Sequence, residues 1–380
     1  MSENNLNIQM VDLKSQYMKI KPQVDQAIND VLSSTQFING EHVKSFQNEL
    51  AAYLDVKHVI TCANGTDALQ ISMMALGLKP GDEIITPSFT YIATTEVIGL
   101  LGLKPVFVDC NPENFNISVD EVEKAITKKT KAIVPVHLFG QSSDMKSITS
   151  LAKKYNLFVI EDNAQAIGSD YLGFNQPQKT GTIGNIGCTS FFPSKNLGCF
   201  GDGGAMMTND DELAIKLRMI ANHGQSKRYY HDIVGCNSRL DNIQAAVLRI
   251  KLKELDQYIL NRQKAANYYD QNLKDLDQLT LPFRNLDSNH VFHQYTLKLD
   301  DSIVRDELIQ YLADKNIPAM VYYPVPAHRQ KMFSKIPNSY GNMKVTNWLS
   351  SRVFSLPMHT ELSTLQQDYI IENISNFLNK

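Results

Sequence analysis

Thr189-Ser190-Phe191-Phe192-Pro193-Ser194-Lys195-Asn196-Leu197-Gly198 is the stretch on which the reading of this chain turns. A short apolar run ends at Phe192. Lys195 follows within three residues, and glycines crowd in behind it at 198, 201, 203 and 204. A lysine held where a strand meets a tight turn is partly desolvated and fixed in direction. Those conditions make an amine nucleophilic and able to form a Schiff base. On this stretch alone, a surface lysine in a loop is an equal alternative.

The sequence on either side alternates. Strand-like runs fall at 59–62, 83–86, 105–109, 132–136, 157–161, 188–192 and 204–208, with helical stretches such as 119–127 and 144–155 between several of them. Nearly continuous apolar, β-branched strands alternating with helices predict a mostly parallel sheet covered on both faces. Ligands in such sheets bind at the carboxyl ends of the strands. The run 59–62 leads through Ala63-Asn64-Gly65-Thr66-Asp67 into an apolar-periodic helix. Free N–H groups at such a helix start form an anion site, although Asn64 or Thr66 acting as an ordinary cap is the competing reading. After 83–86 comes Pro87-Ser88-Phe89-Thr90-Tyr91, which supplies an aromatic. After 157–160 comes Glu161-Asp162-Asn163-Ala164-Gln165. A carboxylate at a buried strand end is costly without a cation or a donor. Asp162 therefore asks for a partner, unless it caps a following helix.

Upstream, helices are expected at 22–34, with Pro22 at the first position, and again through Val43, Phe46, Leu50 and Tyr53. Downstream, a helix is expected at 209–222, and then the polar, tyrosine-rich 223–231. A long helix over 240–274 leads to strand-like 293–299, a helix near 302–315, strand-like 319–323 and a last helix near 363–379. We expect a large domain over 1–255 and a small C-terminal α+β domain over 256–380.

The 380 residues carry a formal net charge of −3, which argues against a nucleic-acid binder. No apolar run approaches a membrane span, and the first residues lack the pattern of a signal peptide. The five cysteines are scattered with no CxxC pair, and the nine histidines show no HExxH spacing. A cytoplasmic, reduced, metal-free protein is expected.

One lysine for a Schiff base, one helix start for a phosphate, one aromatic to face a flat ring and one buried aspartate for a protonated ring nitrogen match the needs of pyridoxal 5′-phosphate. The glycines at 198–204 do not form a GxGxxG between a strand and a helix, and no GxxxxGK[ST] loop is present.

The sequence also resembles the DegT/StrS-type sugar aminotransferases, from about Val11 to the C-terminus. The resemblance rests on Ala63-Asn64-Gly65-Thr66-Asp67-Ala68-Leu69, Pro87-Ser88-Phe89-Thr90-Tyr91, His137-Leu138-Phe139-Gly140-Gln141, Glu161-Asp162-Asn163-Ala164-Gln165, the opening stretch, Gly201-Asp202-Gly203-Gly204-Ala205 and Asn237-Ser238-Arg239-Leu240-Asp241. It implies an α/β protein of aminotransferase fold type I, with a mostly parallel seven-stranded sheet. It implies that Lys195 carries the Schiff-base link to the cofactor. Asp162 would bind the pyridine nitrogen, Gln165 would lie near the ring hydroxyl and Tyr91 would stack on the ring. Gly65, Thr66 and Ser190 would hold the phosphate, and Asn237 would reach it from the second subunit of a homodimer. Arg239, Tyr322 and Tyr323 would face the sugar or the amino donor. Relatives often carry histidine where this chain has Tyr322.

The resemblance further implies amino transfer from L-glutamate, leaving 2-oxoglutarate, to the 3-keto carbon of a nucleotide-linked sugar. UDP-2-acetamido-2-deoxy-3-oxo-D-glucuronate is the expected acceptor, within bacterial surface-polysaccharide (O-antigen) synthesis. A dTDP- or GDP-linked 3- or 4-keto-6-deoxy sugar is the alternative within the family. A non-catalytic regulatory protein that keeps the fold is the alternative outside it.

Overall fold

The computed structural model describes residues 6–379. Its first elements are helices α1 (Leu13–Ser34) and α2 (Glu41–Leu54). An alternating series follows: β1 (His58–Cys62), α3 (Gly65–Ala75), β2 (Glu83–Pro87), α4 (Ala93–Leu100), β3 (Lys104–Val108), α5 (Val119–Ala125), β4 (Thr130–Ile133), α6 (Met145–Tyr155), β5 (Phe158–Asp162), β6 (Ile186–Ser190), β7 (Gly204–Thr208) and α7 (Asp211–Ala221). The 32-residue α8 (Asn242–Leu273) leads into β8 (Leu279–Thr280), β9 (Tyr295–Leu299), α9 (Arg305–Asp314), β10 (Ser339–Tyr340), α10 (Lys344–Arg352), β11 (Val353–Leu356) and α11 (Thr364–Leu378).

The main sheet runs in the order β1-β7-β6-β5-β4-β2-β3-β10. Only β7 is antiparallel to its neighbours; the other pairings are parallel. The seven expected strands are present, and the two-residue β10 adds an eighth at the edge. Burial explains why the strands read as continuous apolar runs. Neighbouring residues point to opposite faces, and both faces are covered. Ile60, Ile84, Ile160 and Met206 pack with α3, α4 and α7. Val59 and Met207 pack under α2 and α8, and Ile85 and Val159 pack under α5 and α6.

Helix α8 serves two cores. Its first half, through Ala245, Leu248, Leu252 and Leu255, closes the sheet. Its second half, through Ala265, Ala266, Tyr269 and Leu273, packs with β9, α9 and α11. There β9 lies between β8 and β11, antiparallel to both.

Two expectations are corrected. Helix α1 does not start at Pro22. It starts at Leu13, where the Asp12 carboxylate accepts the Ser15 N–H at 2.9 Å, and Pro22 lies inside it. An N-cap carboxylate fixes a helix start more strongly than a proline does, because it satisfies a donor that would otherwise be bare. The segment 319–323 is not a strand. Only Met320 pairs, with Ser355. Pro318 before it and Pro324 after it supply no N–H for a ladder.

One carboxylate ties helix α10 to the main sheet. Asp109, just past β3, accepts from the backbone N–H groups of Val345 (2.9 Å) and Thr346 (2.7 Å) and from the Thr346 hydroxyl (2.6 Å). A side chain from another layer thus caps α10. Asp109→Ala should lower the folding free energy by about 2–3 kcal/mol, the scale of a cap plus a buried charged hydrogen bond. Urea denaturation of the two proteins measures it.

Candidate active site

The site lies at the carboxyl ends of β2, β5 and β6. Asp162 is the last residue of β5 and is 5 % exposed. Its carboxylate accepts from the Thr94 hydroxyl at 2.7 Å and from the Ala164 N–H at 3.1 Å. No helix follows Asp162, so the capping alternative falls away; the contact to Ala164 closes a turn. Its main chain is held from both sides: the Asp162 N–H donates to the Pro135 carbonyl (2.9 Å), and the His137 N–H donates to the Asp162 carbonyl (3.0 Å).

The residue before it anchors the other side of the strand. Glu161 is fully buried. Its carboxylate accepts from the N–H groups of Gly181 (2.8 Å), Ile183 (2.7 Å) and Gly184 (2.6 Å), and pairs with His137 Nε2 at 2.9 Å. The Ser143 N–H donates to His137 Nδ1 at 3.1 Å, which puts the ring proton on Nε2. Four donors replace the lost water, so a buried anion here is stable.

Lys195 stands in the turn between β6 and β7. Its N–H donates to the Phe192 carbonyl, and the Phe191 carbonyl accepts from Cys199, so the chain folds tightly back on itself. A Cβ on Gly198 would come within 2.4 Å of the Pro193 carbonyl oxygen, so only glycine fits that turn. Burial pushes the Lys195 amine down from the usual 10.5 to about 8, while the Asp162 charge pulls the other way. Lys195 is part-buried and its backbone is tied into the turn, which argues against the surface-loop alternative. The strand–turn geometry expected from the sequence holds.

A helix start suited to an anion lies beside Ser190. Asn64 caps α3 by accepting the Asp67 N–H at 2.8 Å, which leaves the first N–H groups of the helix, at Gly65 and Thr66, without a helical partner. A Cβ built on Gly65 would lie 2.7 Å from the Ser190 Cβ. The absent side chain therefore leaves bare N–H groups beside the Ser190 hydroxyl, the donor set that an anion requires at a helix start.

Gln165 links the floor to the wall. Its amide oxygen accepts the Phe139 N–H at 2.7 Å, and its amide nitrogen donates to the Tyr323 hydroxyl at 2.9 Å. Tyr91 is 57 % exposed, with its ring centroid 6.1 Å from that of Tyr323. Burial raises the hydroxyls of both Tyr322 and Tyr323, so both stay protonated. Asn237 and Arg239 are not part of this group. Asn237 is exposed and pairs through its backbone with Asn222; Arg239 lines a separate depression with Asn39, Gln47 and Arg218. Sequence reasoning missed Thr94, which carries no motif signal, and gave Glu161 and His137 no role of their own. Among the described residues, no cluster of three His, Cys, Asp or Glu could hold a metal, and no helix is long and apolar enough to cross a membrane.

Fold and site define a class: an α/β protein with a desolvated lysine, a facing aspartate and an anion cradle at adjacent strand ends. The family model of the DegT/DnrJ/EryC1/StrS aminotransferases matches residues 18–375, and the chain belongs to that family. The enzymes of this family are pyridoxal-phosphate-dependent aminotransferases, and this chain is one of them. It is 44 % identical over 369 residues to the UDP-2-acetamido-2-deoxy-3-oxo-D-glucuronate aminotransferase of Pseudomonas aeruginosa, covering 97 % of this chain and all of that one. It is 45 % identical to a protein of Geobacillus stearothermophilus named pleiotropic regulatory protein, covering 98 % and 99 % of the two chains. A crystal structure of a family aminotransferase from Brucella abortus superposes with a TM-score of 0.92 at 40 % identity, covering 98 % of this chain and 100 % of that one.

Gly65→Ala should therefore weaken cofactor binding by at least about tenfold, the worth of one lost charge-assisted hydrogen bond, while the fold persists. Titrating the cofactor-free variant with pyridoxal phosphate measures this. The neutral, reactive fraction of Lys195 should rise as pH rises through about 8. The rate of Schiff-base formation with added pyridoxal phosphate, followed against pH, checks that midpoint.

Proposed function

We propose that this chain transfers the α-amino group of L-glutamate to the 3-keto carbon of a UDP-linked sugar, UDP-2-acetamido-2-deoxy-3-oxo-D-glucuronate, leaving 2-oxoglutarate. Such a reaction serves the synthesis of a bacterial surface polysaccharide. The observation that carries the reading is the Lys195 amine, held near neutrality by burial and drawn upon by the Asp162 charge. The full-length likeness to the Pseudomonas enzyme supports the UDP-linked uronate over dTDP- and GDP-linked 6-deoxy sugars. The name of the Geobacillus relative states no reaction, and an intact lysine, aspartate and anion cradle favour catalysis over a regulatory role alone.

Pyridoxal phosphate, when bound, supplies a carbonyl carbon for amines and a ring that takes up electrons when a Cα–H bond breaks. Asp162 would hold the ring nitrogen, and the Thr94 hydroxyl keeps that carboxylate turned toward the site. Gln165 would sit beside the ring hydroxyl, Tyr91 over the ring face, and Gly65, Thr66 and Ser190 at the phosphate. Lys195 Nζ moves the proton from the α-carbon of glutamate, and later returns one to the carbon that carried the ketone. An amine with a midpoint near working pH can do both. Arg239 lies outside its own chain's Lys195 group, so it would pair bidentately with a carboxylate of the uronate or of glutamate only in the site of a second copy, and Tyr322 and Tyr323 would present hydroxyls to the sugar or the donor.

We further infer a homodimer. Asn237 is exposed rather than turned into its own chain's site, and exposed apolar residues flank it, Tyr229 and Val234 among them. Both features suit a second copy that completes the phosphate contacts. Five free cysteines, four of them buried, suit the cytoplasm.

Lys195→Ala should abolish turnover with glutamate and the UDP-3-keto-uronate while cofactor still binds. Absorbance of the loaded protein tests both halves. In the wild type the visible band should fall on adding glutamate and return on adding the UDP-uronate, but not a dTDP-4-keto-6-deoxy sugar. Turnover by the alanine variant above background would remove Lys195 from its role. Return of the band with the dTDP sugar alone would remove the uronate.

A further inference from the structure

The Phe139 N–H can only donate, so the Gln165 atom that faces it at 2.7 Å is the amide oxygen. That leaves the amide nitrogen facing the Tyr323 hydroxyl, to which it donates at 2.9 Å. Gln165 is buried at 6 % exposure. Turning its amide over would set NH₂ against the Phe139 N–H, donor against donor, at the cost of a buried hydrogen bond. The amide nitrogen carries two protons, and Tyr323 takes one of them. One N–H of Gln165 remains to be given, and its direction depends on what holds the two ends of the amide.

The end at Phe139 is fixed by main chain. Phe139 has φ 58°, in the left-handed region that phenylalanine rarely adopts. The Leu138 N–H before it donates to Asn116 Oδ1 at 3.0 Å. The Phe139 carbonyl accepts the Gln294 N–H at 3.3 Å, and the Gly140 carbonyl accepts the Val291 N–H at 2.8 Å. Gly140 has φ +107°, and a Cβ there would come 2.9 Å from the His293 nitrogen, so the turn tolerates nothing larger than glycine. The end at Tyr323 is fixed by side chains instead. Its ring centroid lies 6.2 Å from that of Phe89, 6.1 Å from that of Tyr91 and 5.9 Å from that of Tyr322. Burial keeps its hydroxyl protonated, so it accepts from Gln165 as a neutral group.

We propose that Tyr323 is a positioning residue that acts through Gln165: its hydroxyl holds the amide so that the remaining N–H is presented as a donor to the ring oxygen of pyridoxal phosphate. The inference rests on the reading that sets Gln165 beside that oxygen and Lys195 in the Schiff base. A donor to the ring oxygen favours its anionic form. The proton that titrates in the loaded protein is shared between that oxygen and the Schiff-base nitrogen. A donor on the oxygen therefore eases the departure of that proton and lowers the midpoint. Without the Tyr323 hydroxyl the amide is held at one end only, and its free N–H loses its direction. This role is separate from any contact of Tyr323 with sugar or glutamate.

The test uses the full-length protein loaded with pyridoxal phosphate, with neither sugar nor glutamate present. The visible band is titrated against pH in the wild type, in Tyr323→Phe, in Gln165→Leu and in the double variant. Tyr323→Phe keeps the ring among its aromatic neighbours and removes only the hydroxyl. Its midpoint should rise by roughly one pH unit, a tenfold change in proton affinity. Gln165→Leu should raise the midpoint at least as far. The double variant should match Gln165→Leu alone, because a hydroxyl that works through the amide has nothing left to position; groups in one hydrogen-bond chain are non-additive in this way. If Tyr323→Phe does not fold, Tyr323→Met removes the same hydroxyl and takes its place. An unmoved midpoint in the hydroxyl-free variant would overturn the proposal. So would a double variant whose shift is the sum of the two single ones, since Tyr323 would then act without Gln165. A wild-type protein with no visible band would instead overturn the reading of Lys195, and this inference with it.

Discussion

Two charges that would each be costly to bury alone are held at the ends of neighbouring strands. Asp162 closes β5, and Lys195 sits in the turn just after β6. Burial drives the amine toward neutrality, and the carboxylate opposes it. The amine is left with a midpoint near the pH at which it must both accept and donate a proton. Much of the fold serves that balance. The parallel sheet brings the two strand ends together, the helices on both faces keep water out, and the Thr94 hydroxyl takes up the carboxylate oxygen that faces α4.

Behind this pair stands a layer of buried polar contacts with no chemistry of its own. Glu161 collects three backbone N–H groups and one imidazole on the far side of β5. Arg262 gathers the carbonyls of Phe292, His293 and Met358. The Ser88 hydroxyl, after β2, bonds with His328 Nδ1 at 2.7 Å and accepts the His328 N–H at 3.1 Å. That contact clamps the loop carrying Tyr322 and Tyr323 onto the turn carrying Tyr91. Together these contacts hold the site's backbone still.

Much of this could be read from the sequence. Strands buried on both faces must be apolar throughout, so β1 to β7 announce themselves. A lysine and an aspartate just past such strands stand out because charge there needs a reason. Gly65 was legible as part of a helix start, and the structure adds why it is glycine: Ser190 occupies the space of its Cβ. Thr94 and Ser88 were not legible in these roles. Their meaning lies in contacts between residues far apart in the chain, such as the 240 positions that separate Ser88 from His328. The stretch 319–323 misled for the opposite reason, since its local composition favours a strand while its flanking prolines leave no ladder to join.

We propose that one amino nitrogen passes from glutamate to a UDP-linked 3-keto-uronate at this site, with Lys195 moving the protons. Glutamate carrying heavy nitrogen in its α-amino group, incubated with the purified enzyme and that sugar, tests it in one step. Mass spectrometry of the product should find the heavy nitrogen on the sugar, bonded to the former ketone carbon, with one 2-oxoglutarate formed for each transfer. Heavy nitrogen that stays in glutamate, or that appears only on a dTDP- or GDP-linked sugar offered beside it, would contradict the account.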